Sequence, residues 1–276
     1  MIRSLYAGVS GMRNHQIRMD VVGNNIANVN TTGFKTGRVN FQDLFSQQVR
    51  FASGSEEPPY RYPSQAGTGV TVGSIQNLFD QGGFQVTSRI LDVAIEGNGF
   101  FMLKDPGEEG LIYYTRNGTF TLDKEGYLVN MEGYRVLDEG GAEIAAVDAE
   151  AGQQIVSIER NGTITVLNPD GTIDTLGVIG LANIINPESM EKDGSNNYRP
   201  SIATQGFSDF ATPINPGSPG GEGGQGKLEA GYLEMSNVDL TNEFANLITT
   251  QRGYQANARV ITTSDEMLRD IIDLKR

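Results

Sequence analysis

The sequence predicts an α+β protein with a discontinuous helical coiled-coil domain drawn from both termini, residues 1–35 and 236–276, and a mainly β body over residues 36–235. Three observations predict it. Each end carries an apolar stripe in steps of three and four, the middle is dense in Asn-Gly and Asp-Gly turn signals, and charge is segregated between ends and middle.

The first stripe is Ile2, Leu5, Val9, Met12, Gln16, Met19, Gly23 and Ile26, which places these residues on one seam of a helix expected from about Ser4 to Asn28. Gly8, Gly11 and Gly23 each cost about 1 kcal/mol relative to alanine inside a helix. Arg3 at the start opposes the helix dipole. A helix weakened in this way needs a partner helix and is expected to be largely unfolded in a free subunit. Asn30, Thr31, Thr32 and Gly33 read as its stop, with Gly33 free to take a positive φ.

Residues 34–49 are amphipathic without a decisive period, and residues 52–69, with Pro58, Pro59 and Pro63, read as a loop. From residue 70 to about 207 the pattern is β. Asn117-Gly118, between Tyr113-Tyr114-Thr115 and Thr119-Phe120-Thr121, predicts a hairpin, and Asn161-Gly162 predicts another. Glu125-Gly126 and Asp170-Gly171 supply the next turn in each case, which makes a weak internal repeat. Residues 213–226, rich in glycine and proline, predict a flexible solvated loop, followed by a short strand over 227–233.

The second stripe is Leu240, Phe244, Leu247, Gln251, Tyr254, Ala258, Ile261, Asp265, Leu268 and Ile272. Ser236, with Asp239 three residues on, predicts the N-cap of this helix, and Lys275 and Arg276 fall at its last turn, where cations offset the dipole. Gln16, Gln251 and Asp265 sit within the stripes and would need partners once buried. Such helices make a poor self-sufficient core. They read as segments that order when several subunits pack, so the expected assembly interface is Ile2, Leu5, Val9, Met12, Met19, Ile26, Leu240, Phe244, Leu247, Tyr254, Ala258, Ile261, Leu268 and Ile272.

The net charge of −13 is concentrated in the middle, since residues 1–50 hold six Lys/Arg against two acids and residues 236–276 balance to within one charge. An acidic body argues against nucleic acid as a partner. The absence of cysteine excludes disulfides, thiol catalysis and zinc–thiolate sites. Arg3, Arg13, His15, Arg18 and Asp20 break up the first twenty residues, so no cleavable signal peptide is expected, and no run approaches the roughly 20 apolar residues that span a bilayer.

Nothing in the sequence points to catalysis. His15 has no neighbouring nucleophile or orienting acid. Residues 168–174 alternate oxygen ligands as a calcium loop does, yet Ile179 stands where the twelfth-position glutamate belongs, so a β-turn is the better account. Gly97-Asn98-Gly99 lacks the third glycine and following helix of a dinucleotide fingerprint. No catalytic residue, cofactor or metal is expected.

The stretch NNIANVNTTGFK, from Asn24 to Lys35, closely resembles the N-terminal signature of the bacterial flagellar rod and hook axial proteins. The run from Ser236 to Arg276 resembles that family's C-terminal signature, and LDVAIEGNGFF (91–101) and YTRNGTFTLDKEGYLV (114–129) resemble its β-domain. The signature residues are Asn24, Asn25, Ala27, Asn28, Gly33, Phe34, Ser236, Asn237, Gln251 and Arg252. The resemblance implies a homopolymeric tube with paired terminal helices inside and β-domains outside. It also implies export without a cleavable signal through the flagellar type III apparatus, partnership with other rod and hook proteins and with hook cap and junction proteins, location in the hook or basal body, and no enzymatic activity. The endings SNVDL, QRGYQAN, ITTSDEML and DLKR look most like hook proteins, whereas the length and an insertion over residues 46–69 resemble distal rod proteins. The hook is the favoured expectation and the distal rod the alternative. A reading from a different class is a cell-surface β-rich binding protein or enzyme on a helical oligomerisation stalk, which would show a pocket of convergent titratable groups.

Overall fold

A computed structural model describes residues 2–51, 62–107, 110–145, 147, 152–221 and 224–274. Two helices flank a β-rich middle: α1 (Ile2–Ala27) and α2 (Leu240–Asp273). The described chain divides into two compact units. One holds the stretch to Ala27, Gly37–Leu78 and the stretch from Val238; the other holds Asn28–Thr36 and Phe79–Asn237. Residues 28–36 thus belong with the β unit and residues 37–78 with the helices.

In the helical unit, the ambiguous stretch after residue 34 resolves into strands. Gly37–Asp43 pairs antiparallel with Val70–Asn77, and Ser46–Arg50 pairs with Ser64–Gly67. The second of these ribbons falls partly where the sequence suggested a loop; Pro58 and Pro59 lie outside the described residues. Asn14, buried on α1, donates to the Val70 carbonyl at 2.5 Å and so ties the longer hairpin to the helix.

α2 begins one turn later than Ser236 would set it. Asp239 is the N-cap, accepting from the Thr241 and Asn242 amides at 2.8 and 3.4 Å, because a carboxylate both satisfies free N–H groups and complements the dipole. Lys275 and Arg276 lie outside the described residues.

The β unit is antiparallel throughout. Its largest sheet runs Glu191–Gly194, Asn197–Arg199, Ile112–Thr115, Phe100–Lys104, Arg135–Val136, Leu128–Val129 and Thr121–Leu122, with Leu181–Ala182 joined to Phe100–Lys104 and to Pro216–Gly217. A three-stranded sheet, Gln154–Ile158, Thr163–Leu167 and Ile173–Val178, and two strand pairs complete it. One apolar cluster gathers Val93, Ile95, Phe101, Phe120, Ile164 and Leu228; a second gathers Phe100, Met102, Tyr114, Tyr198 and Ile214.

The turn signals divide into two groups. Asn161-Gly162 closes a hairpin, with Gly162 at φ +84 and its amide on the Glu159 carbonyl at 2.9 Å. Glu125-Gly126 and Asp170-Gly171 also close hairpins, between Thr121–Leu122 and Leu128–Val129 and between Thr163–Leu167 and Ile173–Val178. Asn117-Gly118 does not. Both edges of Ile112–Thr115 are already taken, by Phe100–Lys104 and Asn197–Arg199, so the chain must leave the strand there rather than fold back along it.

The expected flexible loop over 213–226 is partly pinned. Ile214 is buried in the second cluster, its amide donates to the Tyr114 hydroxyl at 2.9 Å, and Pro216–Gly217 adds to the sheet. Burial pushes the Tyr114 phenol up to about 12. Burying one branched apolar side chain contributes about 1.5–3 kcal/mol, enough to anchor an otherwise turn-rich segment. Glu222 lies outside the described residues. The strand after the loop is broken in two, Lys227–Ala230 and Tyr232–Glu234, by Gly231 at φ +78.

Candidate assembly interface

The two helices pack antiparallel through small and polar residues. Ser4 meets Ser264, with their hydroxyl oxygens 3.3 Å apart; Arg18 donates to Asn246 at 3.2 Å; and Asn25 donates to Glu243 at 3.2 Å. A β-carbon on Gly8 would lie 3.2 Å from Ile261, one on Gly11 2.6 Å from Asn257, and one on Gly253 2.7 Å from the His15 ring. Positions 4, 8, 11, 15, 18 and 25 of α1 therefore face 264, 261, 257, 253, 246 and 243 of α2. Ile261 apart, this seam lies one residue before the apolar stripe on each helix, and one residue is about 100° of rotation at 3.6 residues per turn. The glycine cost in α1 is offset by the close approach that Gly8 and Gly11 permit.

The pairing leaves part of each apolar stripe uncovered. Val9 and Phe244 are half exposed, at 51 % and 50 %, and Leu240, Tyr254 and Ile272 are also exposed. Leu5, Met12, Met19, Ile26, Leu247, Ala258, Ile261 and Leu268 are half-buried, and Ile261 alone of them also lines the glycine seam. The side chain of Ile2 lies outside the described residues. Ile248 and Met267 widen the exposed face. Adjacent exposed apolar side chains of this kind make the stripes a candidate interaction surface.

His15 sits at the seam against Gly253, edge-on to Phe41 at 5.9 Å, with its Nδ1 buried and without a hydrogen-bond partner. Burial, and secondarily the Arg18 guanidinium, hold its pKa below the ordinary 6.5. The folded state then binds a proton less readily than the unfolded chain, so stability is full above the unfolded pKa and falls as pH drops through it. Thermal melts of the helical signal should show a loss as pH falls through about 6.5, and His15→Gln should remove the part of that loss belonging to this ring. An unchanged pH dependence in the variant would count against a neutral seam histidine.

The signature residues fall into both units. In the helical unit Asn25 is buried, donating to the Gly37 carbonyl at 2.9 Å and accepting the Gly37 amide at 3.0 Å, while Asn24, Ala27, Gln251 and Arg252 are exposed. In the β unit, Asn28 accepts from the Thr31 hydroxyl at 3.1 Å. Gly33, at φ +69, has room for no side chain: a β-carbon would stand 2.8 Å from the Asn117 amide nitrogen. Phe34 is buried, with the Lys192 ammonium 4.6 Å from its ring centre. Asn237 accepts from both the Thr36 amide and the Thr36 hydroxyl, at 2.8 and 2.6 Å; Ser236 is half-buried.

Three buried charged residues of the β unit, Lys35, Arg116 and Glu234, carry no signal in the sequence. Lys35, fully buried, meets the Glu234 carboxylate at 2.7 Å, and Arg116 meets its other oxygen at 3.4 Å. Burial pulls the Lys35 ammonium below the ordinary lysine range against the raising effect of Glu234, and it lowers Arg116 in the same way. A lysine in a polar motif reads as solvated, so only the apolar flanks Phe34 and Leu233 hinted at this burial.

Comparisons with known proteins bear on these same segments. Residues 5–35 match the family described as flagella basal body rod protein, residues 94–166 the D1 domain of flagellar hook protein FlgE/F/G, and residues 229–274 the C-terminal part of flagellar basal body rod FlgEFG proteins. The flagellar basal-body rod protein FlgG of Bacillus subtilis (strain 168) is 43 % identical over 277 residues, covering all of both chains. The chain belongs to the flagellar rod and hook family. The FlgG protein of Borreliella burgdorferi is 36 % identical over 279 residues, again covering all of both chains. That organism's flagellar hook protein FlgE is 28 % identical over 455 aligned residues, also covering all of both. As a member of this family the chain is a structural subunit of the axis of the bacterial flagellum, not an enzyme. No helix among the described residues is long and apolar enough to cross a membrane.

Proposed function

We propose that this chain is the distal rod subunit of the flagellar basal body, polymerising with copies of itself through the apolar stripes of α1 and α2. The observation that carries the choice of rod over hook is length. Relatives named as the rod protein FlgG align end to end in 277 and 279 residues, against 276 in this chain, whereas the hook relative needs 455. The terminal motifs favoured the hook because the helices that build an axial tube are subject to the same packing demands in rod and hook. What separates the two is what the middle of the chain carries, and this middle has no insertion on the hook scale.

The geometry supports this interface. Each helix pair closes on glycine, serine and asparagine, and so keeps Val9, Phe244, Tyr254 and Ile272 for neighbours. Burial of such side chains at about 25 cal/mol per Å² supplies the association energy. The acidic β unit keeps free subunits soluble. The partners are further copies, adjoining rod and hook proteins and the type III export apparatus. Isolated hook–basal bodies carrying a small-tag version of the chain, labelled with antibody and imaged by electron microscopy, provide the test. Label on the rod is the expected result. Label along the hook would restore the hook reading, and its absence from the particle would remove the chain from the axis.

A further inference from the structure

In the β unit, one carboxylate serves two cations that lie far apart in the chain. Glu234 binds Lys35 across 199 residues of sequence and Arg116 across 118, and the three side chains are at most 4 % exposed. Its Oε1 also accepts the Gly82 amide at 2.9 Å, and its backbone carbonyl accepts the Gly33 amide at 2.8 Å. The Lys35 ammonium makes a second bond, to the Asp80 carbonyl at 2.8 Å, and Asp80 is the other acid whose charge reaches it.

We propose that Glu234 is a folding-order latch: residues 28–36 dock on the β unit only after the strand that carries Glu234, Tyr232–Glu234, is in place. The cluster holds two positive charges and one negative. With Glu234 absent, docking would bury the Lys35 ammonium beside the Arg116 guanidinium, with a backbone carbonyl as its nearest acceptor. Breaking a buried ion pair by losing one partner is strongly unfavourable, whereas a complete pair roughly breaks even against its desolvation. The early part of the chain is therefore held open, with Lys35 in water, until almost the whole β unit exists. A late acidic residue completing an early basic one makes the docked state conditional on the far end of the sequence. The closing bonds from Thr36 to Asn237 lie just beyond the latch and come after it.

The test uses the full-length chain. In Glu234→Gln, amide hydrogens of residues 28–36 should exchange roughly 100-fold faster than in the parent while Phe100–Lys104 keeps its protection. In the double variant Lys35→Met/Glu234→Gln, which removes the cation that docking buries, protection should return by at least about tenfold. Unchanged exchange in the single variant, or no recovery in the double, would overturn the latch. If Glu234→Gln fails to fold, pulse labelling of the refolding parent decides. Acylation of the Lys35 amine should remain fast until the amides of residues 232–234 are protected, and closure of Lys35 before that strand would refute the proposal.

Discussion

A subunit carrying Phe244→Asp folds normally and does not polymerise: that is the largest functional effect expected of a single surface substitution in this chain. Phe244 is half exposed and lies one position past the seam residue Glu243, so the free subunit loses little by its replacement. An acid in the first turns of α2, next to Glu243 and the Asp239 cap, also suits the helix dipole. In a packed lattice the same carboxylate is buried without a partner, which costs about 3–5 kcal/mol at every subunit contact. Circular dichroism and sedimentation of the purified variant should show a monomer with the same helical content as the parent monomer, at concentrations where the parent forms rods. Leu247→Asp and Ile261→Asp should also block assembly, but Ile261 lies against Gly8 in its own chain, so the second change also damages the subunit itself. A Phe244→Asp protein that still forms rods would place the interface elsewhere.

The largest effect on stability is expected from Gly118→Ala. A β-carbon at Gly118 would collide with the Val93 carbonyl, whose own amide donates to the Gly118 carbonyl at 3.0 Å, and Val93 is fully buried at the centre of the first apolar cluster. Val93 is held in the strand Val93–Glu96, and Thr119, next to Gly118, bridges to Asp92, so backbone meets backbone and the collision cannot relax through a rotamer. Unfolding of the β unit by denaturant should lose more than about 3 kcal/mol. Gly171→Ala is the informative control, since nothing lies within 4 Å of its β-carbon position and only its φ of +78 is at stake. A cost of about 1–2 kcal/mol is expected there. Equal losses in the two variants would show that close approach is not what selects glycine at 118.

What could be read from the sequence was whatever local chemistry decides. The stripes on α1 and α2 were visible because apolar periodicity survives without knowledge of the partner, and Asn161-Gly162, Glu125-Gly126 and Asp170-Gly171 formed turns because the hydrogen bonds that close them are local. Asn117-Gly118 carries the same dipeptide, but tertiary packing takes both strand edges and forbids the hairpin. The seam that pairs the helices was legible only in part: the glycines of α1 point to tight packing, but nothing local shows against what. Gly8, Gly11, Asn257 and Ser264 carry almost no hydropathic signal, and their value lies in how closely they let two backbones approach. The buried cluster was missed because a Lys, an Arg and a Glu scattered over 199 residues read as solvated charges until the fold brings them together. Ile214 shows the converse, a single apolar residue that pins part of a loop whose composition predicts freedom.

Because the chain has no cysteine, a single one placed at 244 reports on that position alone. The rate at which Phe244→Cys reacts with a maleimide, measured on the free subunit and again on assembled rods, addresses the claim that the apolar stripe is kept for neighbouring copies. Fast reaction in the subunit and a rate at least about tenfold lower in the rod is the predicted result, since burial against a packed neighbour excludes the reagent. Equal rates in the two states would contradict it.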